Sequence, residues 1–74
     1  MSRITAVQSK MARAALGLGV RDLARRVGMS PDTITRLERG EELKERTLES
    51  IIAVLTAAGI ELIGDTGVNV VRPQ

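Results

Sequence analysis

Gly28 divides two short amphipathic segments in VRDLARRVGMSPDTITRLERG, residues 20–40, and no other feature limits what this chain can become so sharply. Before it, Val20, Leu23, Ala24 and Val27 recur at helical spacing and share one face. A glycine there closes the helix, because it adopts the left-handed backbone that a Cβ resists. After it, Ser30 offers its hydroxyl as an N-cap, Pro31 suits the first helical position, and Asp32 puts a negative charge where the helix dipole favours one. The expectation is two helices, 20–27 and 31–39, joined by a turn of about three residues and packed at a steep angle. Such a crossing asks for a small residue, Ala24, and for Leu23, Val27, Met29, Ile34 and Leu37 pointing inward.

The flanking sequence adds elements around this pair. Ile4, Val7, Met11, Ala14 and Ala15 fall near one stripe and predict a first helix over 3–16, ended by Gly17 and Gly19. The polar run GEELKER, 40–46, is a connection; Thr47 caps a fourth helix with Glu49 in its first turn and Leu48, Ile51, Ile52 and Leu55 on its apolar face. Beyond Gly59 the period changes. IELI and VNVV flank the turn signal GDTG, which reads as a β-hairpin. Seventy-four residues fill one small core. The predicted architecture is therefore mainly α, four to five helices with a C-terminal β-hairpin. A helix-turn-helix unit occupies 1–59, with its motif at 20–39, and 60–74 forms the hairpin of the same domain. A lone hairpin is marginal in water, so this one either lies on the helices or pairs with a second copy across an exposed edge.

Composition excludes several functions. Without Cys or His the chain lacks a disulfide framework, thiolate ligands, and the commonest metal ligand and general base. Neither an enzyme nor a metal site is expected, and Glu41, Glu42, Glu45 and Glu49 read as solvated acids. The absence of aromatic residues removes the stacking platform that single-stranded RNA binding uses. Arg3, Lys10 and Arg13 interrupt the N-terminal apolar run, so neither a signal peptide nor a membrane span is expected, and a cytoplasmic location fits. The net charge of +2 hides an asymmetry. Through Gly40 eight bases face three acids, and from Glu41 onward three bases face six acids. A basic half suggests a polyanionic partner.

Counted from Val20, the small Ala24 at the fifth position, Gly28 at the ninth and the five inward apolar residues agree in register with one known pattern. The segment resembles the helix-turn-helix of the phage repressor and Cro family, also called the XRE family. The resemblance covers roughly residues 9–58, with RAALGL at 13–18 similar to the end of the family's first helix and LERG at 37–40 similar to the end of its recognition helix. It implies a partly buried pair of Arg13 with Glu38. It also implies a DNA-binding regulator, associated with the nucleoid, that needs no cofactor or small-molecule substrate and reads double-stranded DNA, as a homodimer where the site is palindromic. Ser30, Pro31, Asp32, Thr33 and Arg36 stand where the family reads bases, and Arg21, Thr35, Arg39, Lys44 and Arg46 are the candidates for phosphate contact. Chemistry favours Arg36 among the readers, since a guanidinium bridges guanine O6 and N7. Where the family commonly has Gln at the first motif position this chain has Val20, and the loop after the motif is acidic. Those two departures sustain an alternative, a protein-interaction module of antitoxin-like or adaptor type built on the same fold.

Overall fold

Thr5, in extended backbone, opens the first helix, α1 (Ala6–Leu16). Its Oγ1 accepts from the Gln8 N–H at 3.4 Å while Gln8 Oε1 accepts from the Thr5 N–H at 3.1 Å, a reciprocal cap. The computed structural model describes residues 3–71; residues 1–2 of the expected domain and 72–74 of the expected hairpin lie outside them. The helix thus starts at Ala6 rather than residue 3, because the capping pair fixes its first turn. Its buried face also differs from the apolar stripe. Gln8, Ser9 and Ala12 are buried, whereas Val7 and Met11 are exposed and Ile4 reaches the core from the extended segment before the helix. Apolarity misassigned the face because Gln8 and Ser9 go inside as hydrogen-bonded polar groups.

The second helix, α2 (Val20–Val27), and the third, α3 (Pro31–Glu38), are separated by residues 28–30 alone. Gly28 sits at φ +83°, and its N–H and that of Met29 both donate to the Ala24 carbonyl, at 2.8 and 3.0 Å. Ala24 and Leu23 are buried where α2 meets α3; Val20, Val27 and Met29 are half-buried, and Ile34 and Leu37 close the other side. The Ser30 hydroxyl does not cap α3. It lies 3.5 Å from Thr33 Oγ1, and the Ser30 carbonyl accepts the Thr33 N–H at 3.1 Å. Gly28 and Pro31 thus define the restart without it.

The fourth helix, α4 (Glu45–Ala57), starts ahead of the expected Thr47 cap. Glu and Arg are good helix formers, and Glu45, rather than Glu49, supplies the first-turn negative charge, so the helix extends back to Glu45 with Lys44 at its N-cap. Ile51 and Leu55 enter the core, with Leu48 and Ile52 half-buried beside them.

The last described elements are an antiparallel pair, β1 (Ile60–Ile63) and β2 (Gly67–Val70), in the register Ile60 opposite Val70 and Leu62 opposite Val68. β1 packs on α4 and β2 on α1, so the hairpin contributes Ile60 to the core. Gly59 makes this approach possible. Its φ is +97°, and a Cβ there would stand 2.5 Å from the Val71 carbonyl oxygen, whose own N–H donates to the Gly59 carbonyl at 2.6 Å. Gln8 then holds the far end: its Nε2 donates to the Gly64 and Gly67 carbonyls at 2.8 and 3.0 Å, and the Thr5 hydroxyl donates to the Asp65 carbonyl.

Candidate nucleic-acid interface

Glu38, on the inner side of α3, ties that helix to α1. Its Oε1 accepts from Arg13 Nη2 at 2.7 Å, and its Oε2 accepts from Arg13 Nε at 2.8 Å and from the Ser9 hydroxyl at 2.7 Å. The two side chains are 21% and 7% exposed. Burial by itself would push the Glu38 carboxyl up, but hydrogen bonds from Arg13 and Ser9 and the positive charges of Arg13 and Lys10 outweigh it and hold the group below its ordinary value. The hydrogen bond to Glu38 raises Arg13 in turn, burial lowers it, and the charge of Glu38 raises it, with a net rise. Arg13 Nη1 also donates to the Leu18 carbonyl at 3.2 Å, so one guanidinium braces α1, the segment entering α2, and α3.

With Ile34, Leu37 and Glu38 turned inward, the opposite side of α3 is left to solvent. Pro31, Asp32, Thr35, Arg36 and Arg39 are exposed at spacings of three to five residues, and Thr33 is half-buried on the flank. Ser30 is exposed just ahead of them. Arg21 stands in the first turn of α2, Lys44 before α4, and Arg46 within its first turn rather than in a loop. All three are exposed, and among the described residues their side chains make no hydrogen bond or ion pair. At the start of α2, where Val20 leaves only backbone amides, the Asp22 carboxylate accepts the Gly19 N–H at 3.0 Å. The structure therefore gathers five of the candidate residues on one helix face and leaves Arg21, Lys44 and Arg46 on neighbouring elements.

One residue of this surface has no periodic signal in the sequence. Glu41 follows α3 and turns back onto it, its Oε1 accepting from Arg36 Nε at 3.0 Å and its Oε2 lying 3.3 Å from Arg39 Nη2. The backbone fixes this return. The Glu41 N–H donates to the Arg36 carbonyl at 3.1 Å and the Gly40 N–H to the Leu37 carbonyl at 3.0 Å, the paired bonds of a Schellman helix end.

Among the described residues no helix is long and apolar enough to cross a membrane. No curated protein matches the chain. Residues 8–62, most of its length, match the family described as Helix-turn-helix domain, and the match spans α2, the turn at Gly28, α3 and the Arg13–Glu38 brace. That family points, at a general level, to DNA-binding regulation. The chain belongs to the helix-turn-helix domain family.

Proposed function

We propose that this protein is a sequence-specific, double-stranded DNA-binding transcriptional regulator of the repressor/Cro (XRE) type that lays α3 in the major groove. One observation carries the reading: α3 has Ile34, Leu37 and Glu38 committed to the interior, while Pro31, Asp32, Thr35, Arg36 and Arg39 face solvent. The major groove, about 12 Å wide, admits one helix in that attitude. Arg36 bridges guanine O6 and N7; Ser30 and Thr33 offer hydroxyls to base edges, Asp32 accepts from cytosine N4, and Pro31 makes apolar contact. Arg21, Thr35, Arg39, Lys44 and Arg46 hold phosphates, which supplies affinity and register without reading sequence. No step of this activity is catalytic, and the protein works in the cytoplasm on the nucleoid.

The regulator acts as a homodimer, with the hairpin as the joining element. Both outer edges of the two-stranded sheet lack a strand partner among the described residues, and Ile63 and Val71 are each 54% exposed. A body of 33 × 24 × 18 Å is the right size for two copies side by side to present recognition helices about 34 Å apart. Sedimentation at micromolar concentration returns twice the chain mass if this is right, and the chain mass if it is wrong.

A salt titration of duplex binding tests the main reading. Engagement of Arg21, Arg39, Lys44 and Arg46 with one phosphate each gives a log–log slope of about −3 to −4 per protomer, or about −7 for the dimer. The competing reading, a protein-interaction module, draws on Glu41 holding both Arg36 and Arg39. Indifference to duplex DNA in dilute buffer would favour it.

A further inference from the structure

The bridge from Glu41 to α3 singles out particular atoms of Arg36. Glu41 Oε1 takes the Nε hydrogen at 3.0 Å, and among the described residues the terminal nitrogens Nη1 and Nη2 have no hydrogen-bond partner. A guanidinium presents donors along more than one edge, and the pair of terminal nitrogens is one edge that matches O6 and N7 of guanine. Holding Nε therefore leaves a guanine-matching edge available. The other Glu41 oxygen stands against Arg39, so the carboxylate is itself anchored, and the Schellman end of α3 fixes its backbone. Arg36 and Glu41 are both 44% exposed, which leaves the guanidinium accessible to a partner.

We infer that Glu41 is a specificity-determining positioning residue: it holds Arg36 by Nε with the terminal nitrogens free for a guanine, and it offsets the charge of Arg36 and Arg39 so that phosphates alone attract them less. The inference rests on the proposal that Arg36 reads a base. Ordering a long side chain at an interface costs about 0.5–1.5 kcal/mol, which a prior hold on Nε removes, corresponding to about twofold to tenfold in affinity for the guanine-containing site.

The test begins by selecting a preferred duplex from random sequence with the unaltered protein. Affinities for that duplex, for one changed at the guanine that Arg36→Ala ceases to discriminate, and for a scrambled duplex are then measured with Glu41→Ala and Glu41→Gln. Expected is a twofold to tenfold fall in guanine preference for Glu41→Ala, together with tighter binding to the scrambled duplex. Glu41→Gln keeps an oxygen for Nε and restores at least half of the lost preference. In the free, unaltered protein the Arg36 Nε–H resonance is protected from exchange, and it loses that protection in Glu41→Ala. An unchanged guanine preference in Glu41→Ala, equal loss in both variants, or an unprotected Nε–H in the unaltered protein overturns the inference. If Arg36→Ala itself leaves every base preference intact, the base-reading role of Arg36 fails, and the inference falls with it for that separate reason.

Discussion

Replacing Arg13 with alanine should remove a large part of this protein's stability, and the structure gives the size of the loss. The substitution removes both hydrogen bonds from the guanidinium to Glu38, at 2.7 and 2.8 Å, and leaves a carboxylate only 7% exposed with the Ser9 hydroxyl as its remaining partner. Breaking a buried pair on one side costs about 3–5 kcal/mol. Arg13 is 21% exposed, so water entering the vacated space offsets part of the penalty and the lower end applies, about 3 kcal/mol. The chain of 74 residues has roughly 4–11 kcal/mol of total stability. At about 4–8 °C per kcal/mol for a domain of this size, the midpoint of thermal unfolding falls by about 12 °C or more. Circular dichroism at 222 nm measures it. Arg13→Met with Glu38→Leu removes the pair together and should recover part of the loss, because no charge is then stranded, although the Ser9 hydroxyl and the Leu18 carbonyl lose their partners. An Arg13→Ala midpoint within about 2 °C of the unaltered protein would refute the reasoning.

Other parts of the fold make separate predictions. Gln8→Ala strips the Gly64 and Gly67 carbonyls of their donor, and leaving such groups unsatisfied costs about 1–3 kcal/mol; hydrogen exchange should speed up across the hairpin first, and uniform acceleration over all helices would contradict that. Gly59→Ala should destabilise more than Gly28→Ala, as read by urea midpoints. Both positions have positive φ, but only at Gly59 does the added carbon meet backbone, at 2.5 Å from the Val71 oxygen. The Glu38 carboxyl lies below its ordinary value, so its contribution to stability is complete above the ordinary glutamate range, near pH 4.3, and is lost as pH falls through the lower folded value. Unfolding free energy should therefore drop in acid with a steeper slope than Glu38→Gln shows, and identical slopes would remove Glu38 from the account.

The helix-turn-helix was legible because its constraints are local. Gly28, Pro31 and the apolar spacing of Leu23, Val27, Ile34 and Leu37 each act within a turn or two of chain; they gave the expected helices 20–27 and 31–39, of which the second ends one residue earlier, at Glu38. The hairpin was legible for the same reason, from β-branched runs around Gly64 and Gly67. What escaped was polar and long-range. Gln8 is buried because it meets carbonyls some 55 to 60 residues away, and hydropathy treats such a side chain as surface. Ser9 is inside with its hydroxyl on Glu38, 29 residues away. Glu41 read as an acid unwelcome near DNA, and its return onto Arg36 depends on the Schellman end of α3, a backbone arrangement no periodicity encodes. The first turn of α4 was missed because a cap at Thr47 and a start at Glu45 satisfy the same propensities.

The central claim is that the outer side of α3 is what meets a duplex. Titrating the isotopically labelled protein with its selected duplex and following every backbone amide tests it most directly. The largest shifts should fall at residues 30, 32–36 and 39, Pro31 having no amide to report, with smaller ones at Arg21, Lys44 and Arg46 and little change at Glu61 or Asn69 on the hairpin. Shifts concentrated on the hairpin or on Val7 and Met11 of α1, with α3 unmoved, would contradict the account.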